Sequence, residues 1–512
     1  MNSLRPARIR ALLRLTALSL AFLLAFTSMR VVAADMSSVA TLVKPAPGGA
    51  AWNASQIAAL HRVIEKLLSA PALRGAQVGL IAIDTVRGTA LYSQNADQEF
   101  MPASNFKLLV GSAALQLLGT SFAYRTTVAA DGPPQNGTIA GNVYLRGGGD
   151  ALLTAKDLDD AAAAVAAQDV RSISGGVITD ASHFDDQRYG FGWSWDDLPF
   201  YYAPVVSALE LEDGVLHMYF SPGAAAGTLA TLRVAPQSSA FVIDNRLMTG
   251  SPKSKDTSEL VRPWDAARTI EVTGSYPLDA KESGDVRPAV PDPESYAGDV
   301  FAKALAAHGV TVTGTTQSGK TPEHATPLWT KHSEAMPQLL ADFWYPSDNL
   351  MGELFLKELG VRLKGEPGTV ENGITLENQY LRSAGIDPAS VTISDGSGLS
   401  QYDRITPHDL LKILQADWNG PNRNAVLDAL PVAGVRGSLK SSYKRTAAEN
   451  NVFAKTGSIS HVRTISGYVK TKTHGPVTFS LMVNQWMGED QPHGAADLAT
   501  LRGAILAAIA SQ

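Results

Sequence analysis

The chain has 512 residues, enough for two to three domains, and it contains no cysteine, which excludes disulfide bonds and thiolate metal sites. Its 43 basic and 49 acidic residues give a formal net charge of −6 at pH 7. This acidic balance, with few basic runs, argues against a nucleic acid partner and against a polybasic membrane anchor.

The first 34 residues have the pattern of a secretory signal peptide. A basic end precedes an apolar segment at 15–26, and Val32-Ala33-Ala34 supplies the small residues of a cleavage site. Cleavage would remove five arginines and change the formal charge from −6 to −11. We expect an exported, periplasmic protein without a stable membrane anchor. An uncleaved anchor is the alternative, although the apolar segment is short for a spanning helix.

The next elements are predicted to be a helix, a hairpin and a second helix. Apolar residues at helical spacing indicate a helix over 55–69. Alternating residues indicate strands over 78–83 and 89–93, joined by a turn. Pro102 is typical of a helix start, so the second helix is expected to begin there and to carry Ser104.

From about 125 to 328 the chain is rich in Gly, Pro and Thr and has short β-like segments. We predict that this stretch is an insertion of two β-rich subdomains, one formed by 125–204 with 281–328 and the other by 205–280. The β-like segments are 138–145, 176–179, 215–220, 231–234 and 269–273, and helical patterns occur at 155–167 and 296–308.

Helical patterns return from about 329, and the chain ends with a β meander and a last helix. We predict that 35–124 and 329–512 form one catalytic domain, in which an antiparallel sheet is covered by helices. The fold class is therefore α/β (α+β) with inserted β-rich subdomains. The helical patterns are 333–343, 350–364, 370–384, 407–416 and 494–510, and the strands are 464–470 and 477–484.

The sequence Ser104-Asn105-Phe106-Lys107 is the first candidate for chemistry. Positions three apart share a helix face, so Ser104 and Lys107 would lie side by side. A serine becomes a useful nucleophile when a neighbouring base takes its proton, and a buried lysine can act as that base. Alone, the pattern is weak and is far more often an N-cap serine beside a solvated lysine.

Two further motifs follow in order, Ser347-Asp348-Asn349 and Lys455-Thr456-Gly457. The first lies between two helical patterns and the second on a predicted strand. Taken singly, they also fit a helix connection and a strand end. The three motifs together are typical of penicillin-binding proteins and class A β-lactamases.

Other catalytic chemistries find no support in the sequence. The ten histidines have no metal-binding spacing, and no Gly-x-Ser-x-Gly elbow is present. Gly147-Gly148-Gly149-Asp150 lacks the pattern of a phosphate loop. We therefore expect neither a metal nor a cofactor.

The chain resembles the DacB-like serine D-Ala-D-Ala carboxypeptidases and endopeptidases, the large low-molecular-mass class C penicillin-binding proteins. The resemblance covers nearly the whole mature chain, and the long insertion after Ser-x-x-Lys belongs to it. Besides the three motifs, it rests on Leu145-Arg146-Gly147-Gly148-Gly149-Asp150, Gly192-Trp193-Ser194-Trp195, Asp395-Gly396-Ser397-Gly398-Leu399-Ser400 and Gly437-Ser438-Leu439.

The resemblance implies an α/β/α penicillin-binding sandwich that acts on peptidoglycan stem peptides and is acylated by β-lactams. It makes Ser104 the nucleophile, Lys107 its base and Ser347 a proton relay. It also assigns Asn349 to the substrate amide, and Lys455 with Thr456 to the terminal carboxylate.

The backbone N–H groups of Ser104 and Ser458, the second next to Gly457, would form the oxyanion hole. Members usually carry arginine after Asp-Gly-Ser-Gly-Leu-Ser, whereas this chain has Gln401, with Arg404 three positions later. A substrate contact made by that arginine is therefore in doubt.

Two alternatives stay open: a β-lactamase, for which no deacylating glutamate is recognisable, and a non-catalytic peptidoglycan-binding scaffold. The oligomeric state is also open. Asp150 is a further candidate, because a carboxylate after a glycine run could pair with a free ammonium on the stem peptide. Its alternative role is to cap a turn.

Overall fold

The computed structural model describes residues 49–263, 266–490 and 494–512, so the predicted signal peptide lies outside the described residues. Within these ranges, no helix is long and apolar enough to cross a membrane. The α-helices are α1 (Ala54–Leu68), α2 (Lys107–Leu118), α3 (Ala155–Ala166), α4 (Pro293–Ala307), α5 (Met336–Trp344), α6 (Leu350–Lys364), α7 (Val370–Ser383), α8 (Pro407–Asn419), α9 (Arg423–Ala429) and α10 (Gly494–Ala510).

The strands are short throughout the insertion and longest in the terminal parts of the chain. They are β1 (Gln77–Asp84), β2 (Ala90–Gln94), β3 (Arg125–Ala130), β4 (Thr138–Ile139), β5 (Val143–Arg146), β6 (Ser172–Ile173), β7 (Val177–Asp180), β8 (His217–Ser221), β9 (Thr231–Ala235), β10 (Val242–Asn245), β11 (Met248–Gly250), β12 (Glu259–Val261), β13 (Thr269–Thr273), β14 (Ser275–Pro277), β15 (Thr311–Val312), β16 (Gln317–Ser318), β17 (Thr326–His332), β18 (Val452–Ile459), β19 (Val462–Val469) and β20 (Val477–Asn484).

One antiparallel sheet joins the two ends of the chain, with strand order β18-β19-β20-β1-β2. The central pair β1 and β20 runs in unbroken register from Gln77 opposite Asn484 to Asp84 opposite Val477. The predicted sharing of one sheet by the N-terminal hairpin and the C-terminal meander is confirmed.

Helices cover both faces of this sheet, as predicted. Along β1, Leu80 and Ala82 belong to the core with α1 and α10, whereas Ile81 packs with Leu411 of α8 on the other face. This alternation is the period-two pattern of a strand buried on both sides. Helix α2 is buried on nearly every side, from Lys107 to Leu115, because the other helices of its layer surround it.

The inserted region forms a second sheet of order β16-β7-β5-β3-β17, together with smaller sheets. Its strand β17 runs across the predicted 328/329 boundary. Apolar residues of both predicted subdomains, such as Val177 and Val272, belong to one continuous core. The chain also passes from one hydrophobic core to another. Val206 packs in the core that contains α2, α5 and α6, whereas Leu209 packs in the core of the inserted region. The subdomain division stays a prediction.

Two local predictions differ from the structure. The β-like segment at 138–145 is two strands, because the chain turns at Gly141, whose φ of 108° suits glycine. Ser104 lies not on an α-helix but in a 3₁₀ turn, Ala103–Phe106, and α2 begins only at Lys107. A 3₁₀ turn is a common way for a helix to begin.

Candidate active site

The 3₁₀ turn Ala103–Phe106 carries the candidate nucleophile Ser104, and we call it the nucleophile turn. It brings Ser104 and Lys107 together. The Lys107 Nζ atom lies 3.0 Å from Ser104 Oγ. Ala103, which precedes the serine, has a left-handed φ of 48°, a conformation that costs energy for a residue with a Cβ atom. Strain of this kind is typical of positions held for function.

Two fixed acceptors surround the Lys107 amine. Its Nζ atom lies 2.5 Å from Asn349 Oδ1, and it also donates a hydrogen bond to the Ser397 carbonyl. The Asn349 amide cannot be turned round, because its Nδ2 donates to the Tyr202 carbonyl at 2.6 Å and that oxygen can only accept. A neutral Lys107 therefore donates to these two oxygens and directs its lone pair toward Ser104.

Burial favours this neutral form. Lys107 is fully buried, and desolvation lowers its pKa to about 8, although the carboxylates of Asp395 and Asp348, among others, oppose the shift. A pKa near the working pH is what a general base needs, because the amine is then often unprotonated yet still basic.

Ser347 and Lys455 form a second pair on the opposite side of the site. The Lys455 Nζ atom donates to Ser347 Oγ at 2.7 Å and to the Thr456 carbonyl at 2.8 Å. Burial, and then the positive charge of Lys107, lowers the pKa of Lys455 well below its usual value. Ser347 has a left-handed φ of 67°, so the turn of the Ser-Asp-Asn motif is also strained.

Gly457 allows β18 to lie against the nucleophile turn. A Cβ atom at this position would be 2.2 Å from Thr464 Oγ1 and 2.6 Å from the Pro102 carbonyl oxygen. Those two groups are themselves joined by a hydrogen bond of 2.7 Å. A larger residue at 457 would push the strand away from Ser104, which explains glycine in the Lys-Thr-Gly motif.

Strand β18 is an edge strand of the five-stranded sheet, with β19 as its neighbour on the inner side. Ala454 N–H points outward, where it donates to the Pro431 carbonyl at 3.0 Å. Because antiparallel strands direct alternate residues to the same side, the N–H groups of Thr456 and Ser458 point to this edge too. The Thr456 hydroxyl also lies 3.1 Å from Ser438 Oγ, in the Gly437-Ser438-Leu439 stretch.

Asp395 organises the loop that carries Ser397, a role that the sequence did not indicate. Its carboxylate accepts hydrogen bonds from Ser397 Oγ at 2.8 Å, Gly398 N at 2.7 Å and Ser400 N at 2.8 Å. Trp193 Nε1 donates to it as well, at 2.8 Å. The loop so held presents the Ser397 carbonyl to Lys107. Both stretches belonged to the family resemblance, but no local pattern indicated that they meet.

Arg404 does not replace the arginine expected at position 401. Its Nη1 atom donates to the main-chain carbonyls of Gln401 at 2.7 Å and Asp403 at 2.8 Å. The guanidinium therefore stabilises its own loop, and Gln401 is exposed.

Asp150 lies apart from these contacts, in an ion pair. Its carboxylate is 2.9 Å from Lys331 Nζ and accepts a bond of 3.1 Å from Leu152 N, two residues on. The side chain is only 2% exposed. The glycine run before it allows the backbone to approach Ala208, whose oxygen would be 2.2 Å from a Cβ at Gly147. These contacts favour the turn-capping alternative, and the ammonium-binding role stays a prediction.

We expect Asp150→Asn to lower stability rather than specificity. Removing the buried charge that pairs with Lys331, which then keeps only the Asp157 carboxylate at 3.5 Å, should cost about 1–3 kcal/mol of unfolding free energy. KM for a stem peptide with a free amine and for an amine-blocked analogue should then change equally. Thermal melts and the two KM values check this, with Lys331→Met as the matched variant. A KM rise of about tenfold on the free amine alone would instead support the predicted role of Asp150 in binding the substrate ammonium.

Residues 60–504 match the sequence profile described as the D-Ala-D-Ala carboxypeptidase 3 (S13) family. A relative from Actinomadura sp. (strain R39), named D-alanyl-D-alanine carboxypeptidase, is 34% identical over 462 residues, covering 88% of this chain and 85% of its own. The resemblance stated from the sequence motifs is thereby confirmed.

Solved structures show the same fold. Penicillin binding protein 4 (dacB) from Haemophilus influenzae superposes with a TM-score of 0.78 at 22% identity, covering 86% of this chain and 97% of that chain. A second structure of that protein, complexed with a β-lactam, gives a TM-score of 0.72 at 21% identity with the same coverage. The predicted fold class is confirmed.

Proposed function

We propose, for a chain that belongs to the D-Ala-D-Ala carboxypeptidase 3 (S13) family, that Ser104 is the nucleophile. The protein is a serine DD-peptidase that hydrolyses the terminal D-Ala-D-Ala bond of peptidoglycan stem peptides. The observation that carries the assignment of Ser104 is the hydrogen bonding of Lys107. Two oxygens that can only accept occupy two of its N–H groups, and Ser104 Oγ lies 3.0 Å away in the remaining direction.

In acylation, neutral Lys107 takes the Ser104 proton while the Oγ atom attacks the penultimate D-alanine carbonyl. The C–N bond to the last D-alanine then breaks, and the leaving amine receives a proton. Ser347, which accepts a hydrogen bond from Lys455, would relay that proton. The Asn349 amide would hold the substrate backbone, and the products of this step are an acyl-enzyme and free D-alanine.

Lys455 and Thr456 would bind the terminal carboxylate. An arriving carboxylate favours the charged form of Lys455, and that charge disfavours a second one on Lys107. Substrate binding would therefore help to keep the base unprotonated. This coupling follows from the repulsion between two nearby ammonium groups, which is seen in the effect of Lys107 on the pKa of Lys455.

The oxyanion hole would be formed by the N–H groups of Ser104 and Ser458. The outward direction of the Ser458 N–H at the edge of β18 supports this assignment. Gly457 keeps that strand edge close to the nucleophile turn. Donors preorganised around a developing negative charge are commonly the largest contribution to catalysis of acyl transfer. Water then hydrolyses the ester and returns the proton to Ser104.

We expect the acylation rate to rise with pH until Lys107 is neutral. Below its pKa of about 8, the neutral fraction grows roughly tenfold per pH unit, and above it the rate should level off. Stopped-flow measurement of second-order penicillin acylation between pH 5.5 and 9 checks this. Melting temperatures over the same range serve as the control. A rate that stays flat between pH 6 and 8 in folded enzyme would remove Lys107 from the role of base.

Fluorescent penicillin tests the function as a whole. We expect one covalent adduct per chain, stable on the timescale of gel electrophoresis, together with release of D-alanine from a stem pentapeptide. Fast loss of the adduct would indicate a β-lactamase. The absence of an adduct in folded protein would indicate a binding scaffold. Mass spectrometry of the intact adduct, followed by peptide mapping, locates it on Ser104.

Export to the periplasm is part of the proposal, because the substrate is outside the cytoplasm and the sequence predicts a signal peptide at 1–34. Cleavage of D-alanyl cross-links, the endopeptidase activity implied by the resemblance, is proposed as a second reaction of the same site. A cross-linked muropeptide dimer incubated with enzyme tests it, since the dimer would give two monomers.

A further inference from the structure

A turn of the insertion, Glu212-Asp213-Gly214, reaches the Ser-Asp-Asn motif. Glu212 and Asp213 both have left-handed φ angles, of 53° and 60°. A Cβ atom at Gly214 would lie 3.4 Å from Leu350 Cδ2, so the turn packs on the residue that follows Asn349. Strained turns persist where the surrounding structure holds them.

The main chain of this turn is anchored to the insertion. The Glu212 N–H donates to the Leu153 carbonyl at 2.8 Å, and the Asp213 N–H donates to the Ala151 carbonyl at 3.0 Å. The Glu212 side chain accepts a bond of 2.8 Å from Ala155 N at the start of α3. The position of Asp213 is therefore set by contacts outside the catalytic domain.

The buried Asp213 carboxyl group faces the carboxyl group of Asp348, the middle residue of Ser-Asp-Asn, closely enough for the two to share a proton. Asp213 Oδ1 is shielded from solvent and has no N–H or O–H partner in the described residues. Asp348 Oδ1 accepts from Met351 N at 2.8 Å, which leaves its other oxygen for Asp213. Two carboxyl groups in contact need a proton between them, because two carboxylates would repel.

We propose that Asp213 is a positioning residue for the reaction, which shares a proton with Asp348 and so holds the turn that presents Ser347 and Asn349. Asn349 orients the Lys107 amine, and Ser347 contacts Lys455. A shift of this turn would misplace both pairs at once. The insertion thus contributes a residue that positions the active site. This inference rests on the proposed function.

The charged surroundings agree with a shared proton. Burial, and then the Asp348 charge, raises the pKa of Asp213 well above its usual value, while Arg287 acts in the opposite direction. Glu210 also raises the pKa of Asp213, and burial raises the pKa of Glu210 itself well above its usual value. The Asp348 charge in turn acts to raise the pKa of Lys107 and that of Asp342. Burial and the neighbouring carboxyl groups therefore favour retention of a proton by Asp213.

Two variants at position 213 distinguish the effect of the carboxyl group from the effect of the backbone conformation. Asp213→Gly keeps the left-handed turn without strain and removes the carboxyl group. Asp213→Asn also tolerates this conformation and donates a hydrogen bond to ionised Asp348 without a shared proton. Glu212→Gln, in the same turn but without contact to the motif, is the matched control.

Second-order acylation by a fluorescent penicillin is measured for each variant from pH 6 to 10, with melting temperatures. We expect Asp213→Gly to acylate about 10- to 100-fold more slowly, Asp213→Asn to recover most of the rate, and Glu212→Gln to match the wild type.

Wild-type acylation by folded Asp213→Gly would overturn the proposal, as would an Asp213→Asn variant that acylates no faster than Asp213→Gly. Neither result would affect the assignment of Ser104, which is tested by loss of labelling in Ser104→Ala. Conversely, a Ser104→Ala protein that labels normally would reject the proposed nucleophile, whatever the behaviour of position 213.

Discussion

Ser104→Ala is expected to abolish both penicillin labelling and D-alanine release. Removing the Oγ atom leaves Lys107 with no hydroxyl to deprotonate at the 3.0 Å position, and no acyl-enzyme can form. Loss of a catalytic serine costs about 10⁶-fold in turnover, so activity should fall below detection. Intact-protein mass spectrometry after penicillin treatment and a D-alanine release assay measure the two effects.

The nearby Ser112 provides the control for this change. It is a buried residue of α2, and its hydroxyl donates to Asp417 Oδ2 at 2.7 Å. Ser112→Ala should affect stability but retain labelling once folded. A penicillin adduct on Ser104→Ala at the wild-type rate would show that another residue is the nucleophile.

Lys107→Met is the second change with a large expected effect. Methionine fills the buried volume of the lysine stem but cannot accept the Ser104 proton, and Asn349 loses the amine that it orients. Loss of general base catalysis should lower penicillin acylation by about 10²- to 10⁴-fold at pH 8. The residual rate should no longer rise between pH 6 and 8.

A lysine substitution away from the site distinguishes catalysis from general charge effects. Lys364→Met, at the exposed end of α6, removes the same charge without touching the nucleophile and should acylate normally. Melting curves establish that each variant is folded. Retention of the wild-type rate and pH profile by Lys107→Met would show that a different group deprotonates Ser104.

The architecture was largely predictable from the sequence. Alternation in 78–83 and 477–484 predicted strands buried in a sheet, and the structure pairs these two segments directly. The proposed chemistry of the site was equally accessible, because Ser104, Lys107, Ser347 and Lys455 lie in short motifs to which the family resemblance assigns catalytic roles. The structure brings these four side chains into two hydrogen-bonded pairs.

What the sequence by itself determined is thus the set of candidate catalytic side chains, their order and the sheet beside them, because periodicity and short motifs are local properties. Only the tertiary structure decided how they are oriented. The Ser397 and Tyr202 carbonyls hold Lys107 and Asn349, yet every residue has a carbonyl, so sequence cannot mark them. No local pattern indicated a partner for Asp150, whereas in the structure Lys331, 181 positions away in the sequence, lies beside it. Contacts between distant parts of the chain depend on packing, and no local pattern contains them.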